Sequence, residues 1–122
     1  MALKGHGMAI SGKRWTVQDR DGNPIYLTEE RWQHIVGANN HPEMADYEDH
    51  LKTTIQQGRR RRQEPLNPRK YRYVQSCDDL PTGFNHVVGI VLFGFDVDAR
   101  GVTVANNFIA TAFLKHMRLR GD

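Results

Sequence analysis

The chain has 122 residues, of which 39% are hydrophobic and 25% charged, and these proportions fit one globular domain. Cys77 is the only cysteine, so no disulfide can form within the chain, and the composition excludes collagen, a coiled coil, a disordered chain and a disulfide-rich secreted protein. The longest apolar run, Val87–Phe95, has nine residues, far fewer than the ~20 that a membrane helix needs. We therefore expect a soluble cytoplasmic protein without a membrane partner.

The net charge is only +3, but two segments differ sharply in sign. Residues 19–50 carry eight acidic side chains against two arginines, whereas residues 59–72 carry seven cationic side chains against Glu64. Crowded like charges repel one another unless water or an anion surrounds them. Two interpretations stay open for the basic segment: a solvated edge or loop, or a phosphate-binding patch. The segment contains four consecutive arginines, Arg59, Arg60, Arg61 and Arg62.

The first residues of the chain show no apolar period. Residues 1–13 contain three glycines and are expected to form a flexible tail, followed by a single domain over residues 14–122. At the start of this domain, Trp15–Gln18 and Ile25–Leu27 are typical of short strands, and Asp21–Pro24 between them is a turn signal. The pattern predicts a small hairpin.

Two helices are expected after the hairpin. The first is predicted over Glu29–Val36, because Thr28 is a suitable N-cap and Gly37 stops the apolar period. The second begins at Pro42, which suits a first helical turn, and ends at Gly58. Its apolar stripe consists of Met44, Tyr47, Leu51, Thr54 and Ile55.

The second half of the chain has the patterns of strands. Arg69–Val74 alternates and is rich in aromatic residues, Val87–Phe93 is apolar on both faces and predicts an inner strand, and Asn107–Leu114 predicts a last strand. Asp96–Gly101 is expected to be a turn, and Arg59–Gln63 an edge strand whose charge discourages aggregation. We therefore predict an α+β domain in which two N-terminal helices pack on one face of a four-stranded antiparallel sheet.

Several kinds of active site lack support in this sequence. His34, His41 and His50 do not have the spacing of a zinc site, and Asp96–Gly101 departs from a calcium loop at two ligand positions. There is no phosphate-binding glycine loop and no Gly-x-Ser-x-Gly motif. The aspartates that follow Cys77 disfavour a reactive thiolate. We expect neither a metal nor another cofactor.

The remaining inventory of His, Arg, Lys, Tyr and Thr suits a metal-independent ribonuclease. Such an enzyme needs a base for the ribose 2′-OH, an acid for the leaving 5′-oxygen and fixed cations for the charge that develops on phosphate. Histidine suits the first two roles because its ordinary pKa lies near neutrality. His34 lies off the apolar stripe of the first helix, on the side of Arg31, so it has no packing role there. It could equally be an exposed helix residue without a function.

The segment Ile25–Ile35 contains Arg-Trp-x-His-Ile and is followed by His41–Glu43 and Tyr47. With these residues the chain resembles phage-associated nucleases of the barnase/EndoU/colicin/RelE superfamily over about Ile25–Lys115, and the most specific part of the resemblance is Trp32–Glu43. The strand at Arg72–Tyr73 and the last strand at Thr111–Leu114 are similar to the sheet of that superfamily. One departure is that no cation precedes His41, where members of the superfamily usually have an arginine.

The resemblance implies cleavage of RNA by 2′-OH attack, without metal, in a protein of toxin or phage type. It points to His34 first, then to Arg72 and Thr111 as catalytic residues, with His41 as the second histidine candidate. An immunity or antitoxin protein is the inhibitor partner that it suggests. The alternative is a non-catalytic nucleic-acid-binding or phage accessory protein on the same fold. The expected nucleic-acid-binding residues are Arg59, Arg60, Arg61, Arg62, Lys70 and Lys115.

Overall fold

The structure, a computed structural model, describes residues 12–64 and 66–118 and begins with a hairpin. Strand β1 (Lys13–Gln18) pairs antiparallel with β2 (Pro24–Thr28). The predicted hairpin is confirmed. Most of the predicted tail lies outside the described residues, but its last residue, Lys13, already belongs to β1.

The first helix forms where its capping signal predicts. Helix α1 (Glu29–Ile35) begins after Thr28, whose hydroxyl accepts a hydrogen bond from the backbone N–H of Arg31 at 3.0 Å. Glu29 and Glu30 lie in its first turn, where the helix dipole favours negative charge. Buried Trp32 and Ile35 fix the helix to the core.

The predicted second helix is divided into two parts. A 3₁₀ helix (Pro42–Asp46) is followed by helix α2 (Glu48–Gln57), and the break lies at Tyr47, whose backbone leaves the helical region. Gly58 ends α2 with its N–H bound to the Thr54 carbonyl at 2.8 Å. A Cβ at position 58 would lie 2.3 Å from that oxygen, so the tight turn requires glycine. Among the described residues, no helix has the length and apolar character of a membrane span.

Four further strands complete the main sheet: β3 (Arg59–Glu64), β4 (Asn67–Ser76), β5 (His86–Leu92) and β8 (Phe108–Lys115). The spatial order is β1-β2-β8-β5-β4-β3. Strand β5 therefore lies inside the sheet, as its continuous apolar sequence predicted, and the arginine-rich β3 lies at the edge.

A separate hairpin occupies much of the predicted turn after β5. Strands β6 (Phe95–Val97) and β7 (Thr103–Ala105) form a two-stranded sheet, and the turn is limited to the residues between them. Phe95 on this hairpin is 75% exposed. The predicted turn over Asp96–Gly101 is thus too long, because its first two residues, Asp96 and Val97, are in β6.

The predicted four-stranded antiparallel sheet is wrong, although the α+β class holds. The main sheet has six strands and is mixed, because β2 pairs parallel with β8 through Tyr26 and Phe108. The helices do not come first, since β1 and β2 precede them. The physical reason is that the hairpin brings Ile25 and Leu27, both fully buried, to complete the core of the sheet.

The core lies on one face of this sheet, beneath both helices. Trp32 and Ile35 of α1, Met44 of the 3₁₀ helix, and Leu51 and Ile55 of α2 enter one buried cluster. The cluster also holds side chains from three inner strands. These are Tyr73, Val87, Val91, Ile109, Ala112 and Leu114.

The sheet curls so that the end of β1 reaches β4. Asp19, which follows β1 and is 7% exposed, accepts a hydrogen bond of 2.6 Å from the hydroxyl of Tyr73. It also accepts hydrogen bonds from Asn23 and from the backbone of Asp21. Burial opposes ionisation of the carboxyl, but these donors outweigh burial and hold the pKa of Asp19 below its ordinary value.

Removal of the Tyr73 hydroxyl is expected to destabilise the fold. Tyr73→Phe takes one donor from a buried carboxylate and should lower the free energy of unfolding by about 1 to 3 kcal/mol. Urea unfolding at pH 7 measures this loss. Tyr71→Phe is the matched control, because the Tyr71 hydroxyl has no hydrogen bond within residues 12–64 and 66–118. Equal stability of the two variants would contradict the role of the Tyr73–Asp19 bond.

The contribution of Asp19 should depend on pH with a definite sign. Its folded pKa is lowered, so its ionisation stabilises the fold above the unfolded value of about 3.9. That stability is lost as the pH falls from about 3.9 through the folded pKa. Asp19→Asn should therefore be less stable than the wild type at pH 7, and the difference should shrink below pH ~4. Urea unfolding at both pH values tests this, and a constant difference would exclude it.

Candidate functional site

The two faces of the main sheet differ in what packs on them. Val87 and Val91 of β5 belong to the core beneath the helices. Because side chains alternate along a strand, Val88 and Ile90 point to the opposite face, and neither is in the core cluster. We call this opposite side, centred on Val88 and Ile90, the open face. Val88 and Ile90 are nevertheless buried, at 0% and 4% exposure. Their strand lies between β4 and β8.

One row across the open face unites two of the predicted catalytic residues. Arg72 pairs with Ile90, and Ile90 pairs with Thr111. Directly paired residues of antiparallel strands point to the same face, so the Arg72 and Thr111 side chains share the open face. Two strand spacings separate their backbones, which is about 10 Å. Arg61 extends the same row at the edge of the sheet.

A β-bulge is responsible for the position of Thr111. Ile90 pairs with Thr111, but the next residue, Val91, pairs with Ile109, so Ala110 is an extra residue in β8. Ile109 is buried in the core. Regular alternation would put Thr111 on the same side as Ile109, and the extra residue turns it to the open face.

The arginine run divides between the two faces. Arg59 pairs with Val74 and Arg61 with Arg72, which puts both arginines on the open face. Arg60 and Arg62 alternate with them and lie on the other side. Lys70 pairs with Leu92 and Lys115 pairs with His86, so both predicted binding lysines also share the open face.

Arg60 is held by contacts within the protein. Its guanidinium lies 4.7 Å from the centre of the Tyr71 ring and 5.4 Å from that of Phe93. One of its nitrogens lies 3.3 Å from a carboxylate oxygen of Asp21. Such cation–π and ionic contacts fix a side chain in place. Arg60 therefore has aromatic and acidic partners within the protein. Arg59 and Arg61 are exposed, and neither has an ion pair or an aromatic contact within the described part of the chain.

The structure separates His34 from the Arg72–Thr111 row. His34 is exposed on α1, as its place off the apolar stripe predicted. Trp32 and Ile35 bind that helix to the core, on the face opposite to Arg72 and Thr111. The backbone carbonyl of His34 accepts a hydrogen bond from the Asn40 side chain at 2.9 Å.

His41 lies at the border of the open face. Its ring is 5.4 Å from the ring of Phe113, which pairs with Val88 and points to the open face. A carboxylate oxygen of Glu43 lies 3.6 Å from Nδ1 of His41. Of the two histidine candidates, His41 is therefore the one that contacts a residue of the open face.

A third histidine, which the sequence analysis did not select, also belongs to the open face. His86 is the first residue of β5 and pairs with Lys115. Its Nδ1 lies 2.7 Å from the Asn85 side-chain oxygen. Burial, aided by the charge of His116, lowers the pKa of His86 below its ordinary value. The available signal was its even spacing from Val88 and Ile90 along a strand.

Other reactive groups do not form a second site in the described chain. Burial raises the pKa of the Cys77 thiol, and Asp79 and Asp78 add to the effect, as the neighbouring aspartates predicted. Within residues 12–64 and 66–118, no three His, Cys, Asp or Glu side chains are grouped so that they could hold a metal ion.

Comparisons with protein-family models, with curated proteins and with solved structures gave no significant match. The resemblance to the nuclease superfamily stays a prediction that rests on the short motifs quoted above.

Proposed function

We propose that this protein is a metal-independent endoribonuclease that binds RNA on the open face. The observation that carries the proposal is the row in which Arg72 and Thr111 share a basic face, with His41 at its border. The motif resemblance points to Arg72 and Thr111 as well, but it favours His34 over His41 as the catalytic histidine. A proteinaceous inhibitor of the immunity or antitoxin kind would act by covering this face.

The chemistry assigns a role to each group. The His41 imidazole takes the proton of a ribose 2′-OH, whose oxygen attacks the adjacent phosphorus. The guanidinium of Arg72 and the hydroxyl of Thr111 stabilise the negative charge that develops on the phosphate oxygens. The bond between phosphorus and the 5′-oxygen breaks, that oxygen takes a proton from solvent water, and a 2′,3′-cyclic phosphate is left. Fixed cations supply the charge stabilisation, so the reaction requires no metal ion.

Binding without cleavage is the second candidate function. Among the described residues, no side chain of His34, His41, Arg72 or Thr111 is hydrogen-bonded to another of these four. The backbones of Arg72 and Thr111 are about 10 Å apart, too far for one phosphate to contact both at about 3 Å. Their side chains must therefore converge on the phosphate across Ile90. A domain in which they do not converge would bind RNA and leave it intact.

Cleavage in the presence of a chelator tests the proposal. The purified full chain, incubated with end-labelled RNA in excess EDTA, should produce fragments that end in a 2′,3′-cyclic phosphate. Retention of intact RNA would favour the binding candidate. Absence of both cleavage and binding would overturn both functions.

Two histidine variants should differ in cleavage. His41→Ala should lower the cleavage rate by ~10² to 10⁴, the usual contribution of a general base. His34→Ala is the matched control and should retain most activity, because His34 lies on the other side of the sheet. Each change should cost less than about 1 kcal/mol of stability, since neither side chain is buried. Loss of cleavage in His34→Ala alone would contradict the open-face site and favour the assignment from the motif.

The division of the arginine run provides a second matched pair. Arg59→Ser with Arg61→Ser removes two cations from the open face and should weaken RNA binding. The slope of log Kd against log salt should fall by about 1.4, as expected for two lost contacts with a single strand. Arg60→Ser with Arg62→Ser makes the same change in net charge on the other face and should affect binding much less. Fluorescence anisotropy over a salt series measures both, and equal effects would show that only net charge matters.

A further inference from the structure

Partly exposed aromatic side chains accompany the cations on the open face. Phe108 and Phe113 of β8 pair with Leu92 and Val88, so both point to this face, and neither belongs to the core cluster. Tyr26 of β2 pairs with Phe108, and the centres of their rings are 6.1 Å apart. These rings lie outside the core cluster, on the same face of the sheet as the cations.

The aromatic residues lie on either side of the row that contains Thr111. Their partners Val88 and Leu92 are four residues apart on β5, which corresponds to about 13 Å along the strand. Ile90, the partner of Thr111, is halfway between them. On β4 and β3, beyond β5, the open face carries Lys70, Arg72 and Arg61. Aromatic and cationic side chains thus form two lines along the sheet, with β5 between them.

We propose that Phe108 and Phe113 are stacking sites for the unpaired bases of single-stranded RNA. In this arrangement the backbone follows Arg72, Arg61 and Lys70, and the bases turn toward β8. The phosphodiester at the Arg72–Thr111 row then has one base stacked on Phe113 and another on Phe108. This inference rests on the proposed function, because it takes RNA as the ligand of the open face.

The chemistry of the surface favours a single strand over a duplex. Base stacking on aromatic side chains requires bases that are free of pairing, since the bases of a duplex are stacked on one another. A site that bound duplex RNA by electrostatics alone would need only cations. Partly exposed phenylalanines would weaken such a site, because they occupy positions where cations could contact phosphates. The line of rings next to a line of arginines is the combination used by sheet-based single-strand sites.

Binding of uncleavable RNA to the full chain tests the inference. The probe is a labelled 2′-O-methyl oligoadenylate of about ten nucleotides, within the usual footprint of such sites, in excess EDTA. The same strand annealed to its complement is the duplex probe. Phe113→Ala should weaken single-strand binding by roughly 5- to 100-fold and duplex binding little, as expected for one lost base stack. Phe95→Ala, on the exposed β6–β7 hairpin, is the matched aromatic control and should bind as the wild type does.

Two further variants separate stacking from folding and from apolar contact. Phe113→Tyr keeps the ring and should bind like the wild type, whereas Phe113→Leu keeps an apolar side chain without a ring and should bind like Phe113→Ala. Thermal melting checks that each variant is folded. If Phe113→Tyr and Phe113→Leu bind equally well, stacking is excluded.

The outcomes distinguish this inference from the proposed function. If Phe113→Ala binds normally while Arg59→Ser with Arg61→Ser binds weakly, the stacking sites are wrong and RNA binding on the open face stands. Preference of the wild type for the duplex probe would likewise overturn the stacking sites alone. If the wild type binds neither probe, the proposed function fails, and the inference fails with it.

Discussion

The close contact between helix α2 and Gly89 determines which side of the sheet is available to a ligand. A Cβ at position 89 would lie 3.1 Å from Cδ1 of Ile55 and 3.2 Å from Cδ1 of Leu51, so both side chains would have to shift by a few tenths of an ångström to admit it. With α2 in this position, the side chains at 87 and 91 are covered and those at 88 and 90 point to the other face. Arg72 and Thr111 both pair with Ile90, so their side chains point to the same face as Ile90. The side of β5 on which α2 packs is thus opposite to the side that carries Arg72 and Thr111.

The curl of the sheet also determines which charged side chains meet. The bond between Asp19 and Tyr73 draws the end of β1 toward β4, and Asp21 meets Arg60 there. The acidic segment therefore neutralises an arginine on the helix side of β3. Arg59 and Arg61 point the other way and have no ion pair within the part of the chain that the structure describes. The open face keeps the cations Arg59, Arg61, Lys70, Arg72 and Lys115.

At the other end of the hairpin, a partly buried ion cluster holds β1 to both helices. Arg14 donates hydrogen bonds to Glu29 of α1, at 2.8 Å, and to Glu48 of α2. The indole nitrogen of Trp15 also donates to Glu48, at 2.8 Å. The hydrogen bond from Arg14 is the main reason that the pKa of Glu48 is lowered. These contacts keep the helices on one side and leave the other side of the sheet to the strands.

Local signals in the sequence were sufficient for most elements but not for their assembly. The cap at Thr28 and the apolar run of β5 predicted α1 and the inner strand, because each acts within a few residues. The parallel pairing of β2 with β8 joins Tyr26 to Phe108, far apart in the chain, and no local pattern specifies it. The open face was only partly predictable for the same reason: strand periodicity gives alternation, whereas the bulge at Ala110 inverts that alternation between Ile109 and Thr111.

The bulge satisfies the core and the site together. Beyond Ala110, the inverted alternation directs Ala112 inward, where it pairs with Gly89 beneath α2, and directs Phe113 outward. If β8 continued from Ile109 with regular pairing, Thr111 would lie opposite Gly89 and Phe113 opposite Val87. Both side chains would then point inward, and the phenylalanine ring would compete with the core side chains for space. The core therefore requires the same change of direction that brings Thr111 and Phe113 to the face of Arg72. The packing of Ala112 beneath α2 and the outward direction of Thr111 and Phe113 thus depend on the same extra residue, Ala110.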